Sequence, residues 1–558
     1  MKWKILPETP RDHLSNYNGI PPLLAQLLYN RGVTNPSDAQ AFLLAGKQLE
    51  HDPALLPDMG KAVEHIMAAI GRGERIAVFG DFDADGVTAA AVLVKGIELT
   101  GGDVFAYIPH RVEEGHGLSI PALNYLKSKG VSLVVTVDCG ITGEAEGRWA
   151  GEIGLKLIIT DHHEVVGPIP ESLAVVDPKL PESTYPFREL AGVGVAYKLV
   201  KSLLRAGGIE EQAEQFLDLV ALGTVADLVP LLDENRFLVK RGLEILNQTN
   251  RTGLRAMIER AGLEMGAMDA DSVSYTLAPR LNAAGRLDHA SVSYDILVTD
   301  SPEEAFRLAN LLEERNLERQ SLTREYTALA EERLGPIGPD LPILIVADET
   351  FHAGVNGVVA GKLTDKYYRP AIIIEVGEKE GHGSGRSVPE FNMIAALRQC
   401  SDLFNQFGGH EQAAGFSVPN ANIGVLKERL LEIARRELGG LELQPTLIID
   451  AETRLTALRQ GALNLVRKLE PCGKNNLTPT FLSRGVKVLE TRRVGNDGVH
   501  LKFKLEDRGT IWDAIGFGLN HLNEDNPPLI DIVYNLKLNR WQGKDNLQLE
   551  ILDFAPSM

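Results

Sequence analysis

The feature that most constrains the fold is a series of short apolar runs that alternate with stretches of helical character, beginning near Lys61. The runs are rich in β-branched residues and read RIAVFG, DVFAYIP, SLVVTVD, LKLIITD and LAVVD. Short runs of this kind, separated by helices, are typical of a parallel sheet with crossover helices. A second series, ILIVAD and PAIIIEV, follows a Pro/Gly-rich break after Gly335. The sequence therefore predicts an α/β protein with a larger and a smaller αβ lobe.

Other segments divide the 558-residue chain further. The polar stretch from Ser301 to Gly335 predicts one long helix, capped by Ser301 and with Pro302 in its first turn, that connects the two lobes. From about Leu447, alternating strands with Gly/Asn/Asp turns predict a small OB-like β-barrel. The predicted boundaries are 1–50 for an accessory segment, 51–300 for the first lobe, 301–336 for the connector, 337–440 for the second lobe and 447–558 for the barrel.

Composition limits the class of protein. Hydrophobic residues make up 44% and charged residues 24%, as in ordinary globular chains. The apolar runs are shorter than the ~20 residues that cross a bilayer, and the N-terminus lacks the apolar segment of a secretory signal. Three widely separated cysteines offer neither a disulfide framework nor a CxxC metal site, so we expect a cytoplasmic protein without membrane association. The formal charge of −19 argues against a passive nucleic-acid coat protein, but bound cations can invert the field around clustered acids.

Acids or histidines follow three of the predicted strands. Because the carboxyl ends of parallel strands meet at one edge of a sheet, we expect these side chains to share one crevice. A lone acid at a strand end is usually solvated, whereas three such segments with a histidine pair favour a divalent cation site. The residues are Asp81, Asp83 and Asp85 after IAVF, Asp138 after VVTV, and Asp161, His162 and His163 after LIIT.

The ligand chemistry of this crevice favours particular ions. Carboxylates with imidazole, without thiolate, suit Mn²⁺ or Mg²⁺ better than a structural Zn²⁺ site. The number of acids predicts two ions, which in such sites lie ~3.5–4 Å apart, activate a water and clamp the oxygens of a phosphoryl group. Asp227, in an otherwise apolar segment before Pro230, is a candidate for one more ligand, with helix capping as the alternative.

The motifs DFDADG, VDCG, TDHH and TVADLVPL, in this order, resemble the four motifs of the DHH phosphoesterase family. The later SGRS and FGGHEQAAGFS resemble its partner DHHA1 domain, and APRLNAAGRL lies between them. The resemblance extends from about Ile76 to the C-terminus. It implies a parallel-sheet DHH domain, a smaller αβ DHHA1 domain and an OB-like barrel. It also implies the activity of the family's 5′-to-3′ exonucleases, which hydrolyse single-stranded DNA to mononucleotides in recombination and repair.

The resemblance also implies roles for individual residues, with two Mn²⁺ or Mg²⁺ ions as cofactors. Asp138 is the expected bridging ligand, Asp161 is expected to orient a histidine, and His163 is expected to lie against the scissile phosphate. The implied metal ligands are Asp81, Asp83, Asp85, Asp138, His162 and Asp227.

Substrate contacts are predicted around GSGRS, where Ser384 and Arg386 combine a hydroxyl, a guanidinium and approachable backbone amides into a phosphate receptor. The alternative is a surface turn with an incidental arginine. The resemblance implies that Ser384 and Arg386 hold the 5′ phosphate end. His410 and His352 flank glycines at predicted helix starts, which favour anions. Helix capping or a core position is the alternative for both, and His410 is retained as a contact. The resemblance also implies contacts to the strand near the cleavage site from Arg111, Arg280, Asn282 and Arg286. Gln320 on the connector helix is a further candidate, with an ordinary solvated position as the alternative.

The predicted barrel differs in charge from the rest of the chain. From Arg484 to Lys544 there are ten Lys/Arg and eight Asp/Glu residues. Aromatic platforms in a basic groove bind single strands, although a core position is the alternative for each aromatic residue. LEPCGKNNLTPTF departs from the family at Asn476 and Leu477, where a Gly/Asn-Pro turn is usual. The aromatic residues are Phe503, Trp512, Phe517, Tyr534 and Trp541.

The predicted partner is single-stranded DNA, and the resemblance adds a single-strand-binding protein and a helicase to a monomeric enzyme. One alternative is a DHH-family phosphodiesterase or pyrophosphatase acting on small oligonucleotides or cyclic dinucleotides, for which the connector and barrel are superfluous. Another is a non-catalytic DNA-binding scaffold. The complete set of carboxylates argues against the scaffold, because clustered acids are costly to keep without cations.

Overall fold

The computed structural model describes residues 1–14, 17, 19–338, 340–458, 460–495, 498–519, 528–541 and 544–557. The chain forms two compact units. The larger unit contains Asp52–Asp227 and Gly242–Gln444, and the smaller contains Met1–His51, Leu228–Arg241 and Pro445–Met558.

The strands, numbered along the chain, are β1 Lys2–Ile5, β2 Arg75–Gly80, β3 Val104–Tyr107, β4 Val131–Val137, β5 Lys156–Thr160, β6 Ala174–Val176, β7 Leu344–Asp348, β8 Ala371–Val376, β9 Glu380–Arg386, β10 Gln406–Gly409, β11 Ala413–Pro419, β12 Thr446–Ile449, β13 Ala451–Glu452, β14 Thr480–Val494, β15 His500–Asp507, β16 Thr510–Gly516, β17 Leu529–Trp541 and β18 Lys544–Pro556. The α-helices are α1 Arg11–Leu14, α2 Pro22–Asn30, α3 Pro36–Leu44, α4 Met59–Gly71, α5 Ala84–Leu99, α6 Ile120–Ser128, α7 Glu144–Glu152, α8 Gly192–Ala206, α9 Leu217–Ala226, α10 Asp233–Leu246, α11 Thr252–Arg260, α12 Ala270–Ser272, α13 Ala278–Leu287, α14 Ser291–Val298, α15 Pro302–Leu334, α16 Ala353–Tyr367, α17 Met393–Arg398, α18 Ile423–Leu438 and α19 Gln460–Arg467.

The first sheet of the larger unit is parallel, with strand order β3-β2-β4-β5-β6. Its central strands are buried on both faces, which is why they read as continuous apolar runs rather than alternating ones. Helix α5 is buried along almost its whole length because its residues are mostly small, and it packs against α8 and α9. The predicted parallel sheet with crossover helices is therefore confirmed, and its strand ends share one edge.

The long helix predicted after Ser301 is α15, and it has the predicted N-terminus. The Ser301 side chain accepts a hydrogen bond from Glu304 N, with Pro302 in the first turn. The helix is more than a solvated connector, since its first half packs against α11, α13 and α14. Its second half contributes Tyr326 and Ala330 to the core beneath β7 and α16. None of the helices in the described part of the chain has the length and hydropathy to cross a membrane.

The second sheet of the larger unit has the order β10-β11-β9-β8-β7, in which only the β7–β8 pair is parallel. The glycine-rich segment around GSGRS forms strand β9, which pairs with β8 and β11, so the alternative of a surface turn was wrong. Gly383 is required by packing, since a Cβ atom there would lie 2.1 Å from the Phe416 ring. His410 lies between β10 and β11 in a hairpin, so the predicted helix start was also wrong.

The smaller unit contains the barrel. Its strands follow the order β13-β14-β15-β16-β18-β17, and pairing of β14 with β17 closes the sheet. This confirms the OB-like prediction. Its core also contains Leu24 and Leu28 of α2 and Phe42 of α3, which pack with barrel residues such as Tyr534. Strand β1 pairs in parallel with β12. The five domain boundaries given in the sequence analysis remain predictions.

The departure from the family at Asn476 has a structural role. The Asn476 side chain is buried and donates to the carbonyl oxygens of Leu469 and Pro471, each at 2.8 Å. Its Oδ1 accepts from Arg31 Nε at 2.8 Å, and Arg31 also donates to Leu477 O. The amide therefore fixes this loop through side-chain hydrogen bonds.

Candidate metal centre

The three alternating aspartates occupy the turn from β2 into α5, and each is held differently. Asp83 is the N-cap of α5, and its Oδ1 accepts from Asp85 N at 2.9 Å and Gly86 N at 3.1 Å. The two Asp85 oxygens accept from Gly192 N at 2.7 Å and Val193 N at 2.9 Å. These amides begin α8 and are donors that the helix itself cannot satisfy. Local helix ends therefore orient the carboxylates.

The neighbouring strands β4 and β5 end in Asp138 and Asp161. Asp138 adopts a left-handed backbone conformation with φ 61°, which aspartate tolerates better than branched residues and which turns the chain at the strand end. Asp161 Oδ2 accepts from Ile141 N at 2.9 Å, and Oδ1 accepts from His162 N at 2.7 Å. Asp161 thus ties together the loops that carry the other site residues.

The structure brings the six predicted metal ligands together. Each falls into a group of three whose ligand atoms lie within 4.8 Å of one another, and Asp138 and His162 link the groups. His162 Nε2 lies 3.0 Å from Asp138 Oδ1 and 3.7 Å from Asp227 Oδ2. The groups are Asp81–Asp83–Asp138, Asp85–His162–Asp227 and Asp138–His162–His163.

The crevice concentrates negative charge away from water. Burial and the neighbouring Asp83 raise the pKa of Asp85 to about 7. Burial and Asp85 raise the pKa of Asp138 well above its ordinary value. Burial and the nearby His163 lower the pKa of His162 to about 3. Carboxylates around an unprotonated imidazole suit a divalent cation, so this donor set fits the implied metals.

His163 and Asp161 form a pair beside these groups. The His163 Nδ1 atom lies 2.7 Å from Asp161 Oδ1. Burial would lower the pKa of His163, but the hydrogen bond to Asp161 raises it above the ordinary value. Burial would raise the pKa of Asp161, but the hydrogen bond with His163 holds that pKa below its usual range. The His163 side chain is 44% exposed, so it can reach a substrate.

Sequence analysis missed a further imidazole at this site. His116 Nδ1 lies 3.0 Å from Asp81 Oδ1. Burial would lower the pKa of His116, but Asp81 raises it to about 9. The only signal in the sequence is the pair of glycines that flank His116 in EGHG, on the segment that carries Arg111.

Four arginines converge, and two of them, Arg111 and Arg286, lie near Asp83. The Arg111 guanidinium carbon lies 4.2 Å from the centre of the Phe82 ring. Burial and the positive charges of Arg111, Arg319 and Arg386 lower the pKa of Arg286 to about 9. Three of the four were predicted as substrate contacts, and Arg319 on α15 was missed because charged residues on a polar helix are usually solvated.

The remaining predicted contacts lie in different settings. Asn282 Oδ1 accepts from Ala84 N at 2.8 Å, at the start of α5. Arg280 Nε lies 2.6 Å from Glu313 Oε2, which ties α13 to α15. Gln320 is half-buried on α15, Ser384 is half-buried on β9, and His410 is exposed in its hairpin. The capping alternative holds for His352, whose Nδ1 accepts from Gly354 N at the start of α16.

A parallel sheet with Asp, Asp and Asp-His-His at its strand ends, followed by a second αβ lobe, defines a metal-dependent phosphoesterase of the DHH class. The family model of the DHH N-terminal domain matches residues 75–224, that of the DHHA1 domain matches 340–439, and that of the RecJ OB domain matches 449–553. The single-stranded-DNA-specific exonuclease RecJ of Bacillus subtilis is 37% identical over 563 residues, covering 100% of this chain and 71% of that protein. Its counterpart in Salmonella typhimurium is 34% identical, covering 96% of each.

Solved structures agree. The crystal structure of RecJ in complex with Mn²⁺ from Thermus thermophilus matches with a TM-score of 0.84 and 30% identity, covering 100% of this chain and 80% of that one. The corresponding Mg²⁺ complex matches with a TM-score of 0.79 and 28% identity, covering 100% and 79%. The chain belongs to the RecJ family of single-stranded-DNA-specific exonucleases.

Proposed function

We propose that this chain is a divalent-metal-dependent exonuclease that hydrolyses single-stranded DNA from the 5′ end and releases mononucleotides, acting in recombination and repair. The observation that carries the proposal is the grouping of the six predicted ligands into two sets of three, linked by the contact of Asp138 with His162. Similarity to RecJ exonucleases over the whole chain supports the substrate class.

Two divalent cations, Mn²⁺ or Mg²⁺, are the proposed cofactors. Such ions, when bound, activate water for attack on a phosphodiester and offset the charge of the phosphoryl oxygens. The grouping supports an assignment of Asp81 and Asp83, with Asp138, to one ion and of Asp85, with His162 and Asp227, to the other. The family resemblance implies that Asp138 would be shared by both. The proposed ligands are Asp81, Asp83, Asp85, Asp138, His162 and Asp227.

His163 is the proposed contact to the scissile phosphate. Asp161 engages Nδ1 of this ring at 2.7 Å, so Nε2 is the atom that can donate to a phosphate oxygen. The backbone amides of His162 and His163 also donate to Asp161 Oδ1, which fixes the ring relative to the strand end. Asp161 therefore acts by orienting His163 rather than by contacting DNA.

The four converging arginines are the proposed receptor for the 5′ end. Like charges gathered in a buried setting repel, and an anion between them relieves the repulsion. A terminal phosphate carries about −1.5 to −2 charges at neutral pH, against one for an internal phosphodiester, so the cluster favours free ends. Arg386 and Ser384 on β9 would hold that phosphate. Arg280, Asn282, Gln320 and His410 remain proposed contacts along the strand.

The barrel is proposed to bind the incoming strand through a patch on its outer face, formed by Arg492, His500, Lys502 and Phe517. Arg492 on β14 lies directly opposite Lys502 on β15, a like-charge pair that destabilises a sheet unless an anion lies nearby. Phe517 is 55% exposed and its ring lies edge-on to His500 at 5.2 Å. A base can stack on Phe517 while a phosphate lies between the cations.

Three of the other predicted barrel aromatics do not offer a free face for stacking. Phe503, Trp512 and Tyr534 are all buried in the core, which is the alternative that the sequence analysis gave for each of them. The side chain of Trp541 lies outside the described part of the chain. Phe517 is therefore the aromatic residue on which the proposal rests.

The decisive experiment compares 5′-labelled and 3′-labelled single strands, blunt duplex and a dinucleotide in Mn²⁺, with a chelator control. Mononucleotides released from the 5′ end of single strands alone are expected. Release that begins at the 3′ end, or equal rates on blunt duplex, would contradict the proposal. Hydrolysis confined to the dinucleotide would favour the small-oligonucleotide phosphodiesterase.

The family resemblance also supports a monomeric, cytoplasmic enzyme that works with a single-strand-binding protein and a helicase. All three cysteines are free thiols, which suits a reducing compartment. Light scattering of the purified chain tests the oligomeric state, and co-purification from lysate treated with nuclease tests the partners without bridging DNA.

A further inference from the structure

The loop between β3 and α6 carries an imidazole to the metal centre that the family motifs do not include. His116 Nδ1 lies 3.0 Å from Asp81 Oδ1. The Asp81 side chain is only 5% exposed, whereas that of His116 is 50% exposed. The imidazole therefore approaches a buried carboxylate from the solvent side and holds one of its two oxygens.

The backbone of this loop presents His116 independently of the contact with Asp81. Gly115 and Gly117, with φ 81° and 83°, adopt left-handed conformations on either side of His116. Glu114 accepts hydrogen bonds from the Tyr107 hydroxyl at 2.5 Å and from His110 N at 2.8 Å. Because these contacts hold the loop, the His116 side chain is not needed to maintain it.

The ring of His116 also has defined neighbours. It lies edge-on to the ring of His163 at 5.6 Å and to that of Phe82 at 6.2 Å. These contacts restrict the ring rotation that would release Asp81. The orientation of Asp81 is thus fixed by a side chain that is itself packed on two sides.

We propose that His116 is a positioning residue for metal binding, which donates from Nδ1 to Asp81 Oδ1 and so fixes the direction of the second oxygen, Oδ2. The inference rests on the proposed metal-dependent function. Groups that orient a metal-binding carboxylate in this way contribute about 10–100-fold to metal affinity.

Because Nδ1 of His116, and not Nε2, contacts Asp81, substitutions that retain a donor at only one of these two positions test the proposal. In His116→Asn the amide nitrogen takes the place of Nδ1, so the hydrogen bond survives. In His116→Gln the amide nitrogen takes the place of Nε2 instead, and His116→Phe keeps the ring without any donor. His65→Phe on α4, outside the site, is the matched control.

Mn²⁺ binding to the metal-free full chain is measured from the electron paramagnetic resonance signal of free Mn²⁺, without substrate. We expect His116→Phe and His116→Gln to raise the Kd of at least one site by about 10–100-fold. His116→Asn and His65→Phe should stay close to the unsubstituted protein. At saturating Mn²⁺, His116→Phe should recover most of its kcat, because the contact acts through metal affinity.

Unchanged Mn²⁺ affinity in His116→Phe, or equal losses in His116→Asn and His116→Gln, would overturn the inference. If His116→Phe does not fold, the comparison of His116→Asn with His116→Gln decides alone. Asp138→Asn in the same assay distinguishes a failure of the proposed metal centre from a failure of the proposed role of His116. Retained Mn²⁺ binding there would refute the metal centre itself, whereas its loss with intact binding in His116→Phe would refute only the role of His116.

Discussion

The Nε2 atom of His162 lies 3.0 Å from Oδ1 of Asp138, and their surroundings favour the uncharged form of each. Burial is the leading cause for both. Asp138 and His162 therefore do not form an ion pair with each other, and both can offer lone pairs to a cation. This relationship suits a site in which acids and an imidazole meet at a strand edge to bind a divalent cation.

The first prediction concerns Asp138→Asn. Removing this ligand should lower kcat by about 100-fold or more, because metal ions contribute several kcal/mol to such reactions. The Tm in chelator should stay equal or rise, because a buried carboxylate among like charges is lost. Calorimetry with and without Mn²⁺ and a single-strand assay give both readouts. The exposed Asp402→Asn is the control, and substantial turnover by folded Asp138→Asn would refute the two-metal assignment.

The second prediction concerns Arg386→Lys. A lysine keeps the charge but loses the planar fork that binds phosphate with two donors. We expect the preference for 5′-phosphorylated over 5′-hydroxyl strands to fall about 10-fold, with little change on 5′-hydroxyl strands. Steady-state kinetics on the two strands measure the ratio. An unchanged ratio would remove Arg386 from the 5′ receptor.

Arg398→Lys provides the matched control, since it lies at the end of α17 with no predicted contact to DNA. Its ratio between the two strands should equal that of the unsubstituted protein.

The sequence predicted the parallel sheet, the long helix and the meeting of five strand-end ligands, because each depends on local periodicity or on the shared edge of a parallel sheet. The sixth ligand, Asp227, lies at the end of α9 and was predicted from the family resemblance. Prediction from sequence failed where long-range packing decided the outcome. GSGRS is a strand because it pairs with β8 and β11, and Gly383 is glycine because Phe416 occupies the space beside it. Nothing near Gly383 in the sequence indicates these contacts. His116 reaches Asp81 across 35 residues through a loop shape that only its flanking glycines suggest.

The smaller unit offers a stability prediction at Arg236. This fully buried guanidinium donates to five carbonyl oxygens, of Phe42, Lys468, Leu469, Glu470 and Pro471. Arg236→Ala removes the guanidinium donor from all five oxygens, of which those of Leu469 and Pro471 keep a hydrogen bond from Asn476. We therefore expect a loss of roughly 4 kcal/mol and a lower Tm. Thermal melts measure the effect, and the exposed Arg436→Ala serves as the control. Equal melting of both variants would contradict this role.

A pH dependence is predicted from Asp177. Its side chain is fully buried, and burial raises its pKa to about 7. The folded protein therefore binds a proton that the unfolded chain, with an Asp pKa near 3.9, has released over this range. The protonation of Asp177 therefore contributes most to the free energy of unfolding below about pH 4, by at most about 4 kcal/mol. This contribution is lost as the pH rises to 7.

Asp177→Asn removes this dependence and can keep the hydrogen bond that Oδ1 accepts from Lys179 N at 2.7 Å. The Tm of the variant relative to the unsubstituted protein should rise steadily between pH 5 and 7.5, measured in chelator at constant ionic strength. A difference that does not change with pH would show that Asp177 does not titrate differently in the folded and unfolded protein, and would contradict the raised pKa.

The last prediction tests the barrel patch. Deleting the barrel is a poor experiment, because its core includes side chains of α2 and α3, such as Leu24 and Phe42. Single substitutions on the outer face avoid this problem. Base stacking on an aromatic ring contributes about 1–3 kcal/mol, so Phe517→Ala should raise KM on long single strands by about 10-fold.

Lys502→Ala should weaken binding to long strands and reduce the slope of log Kd against log salt by about one, since it removes one phosphate contact. Ile511→Ala is the control, because Ile511 is 57% exposed on the same outer face but lies opposite Glu506. Both patch variants should act like the unsubstituted protein on oligonucleotides too short to reach the barrel. Equal losses on short and long strands would instead assign Phe517 and Lys502 a structural role, because a binding patch outside the metal centre can affect only strands long enough to touch it.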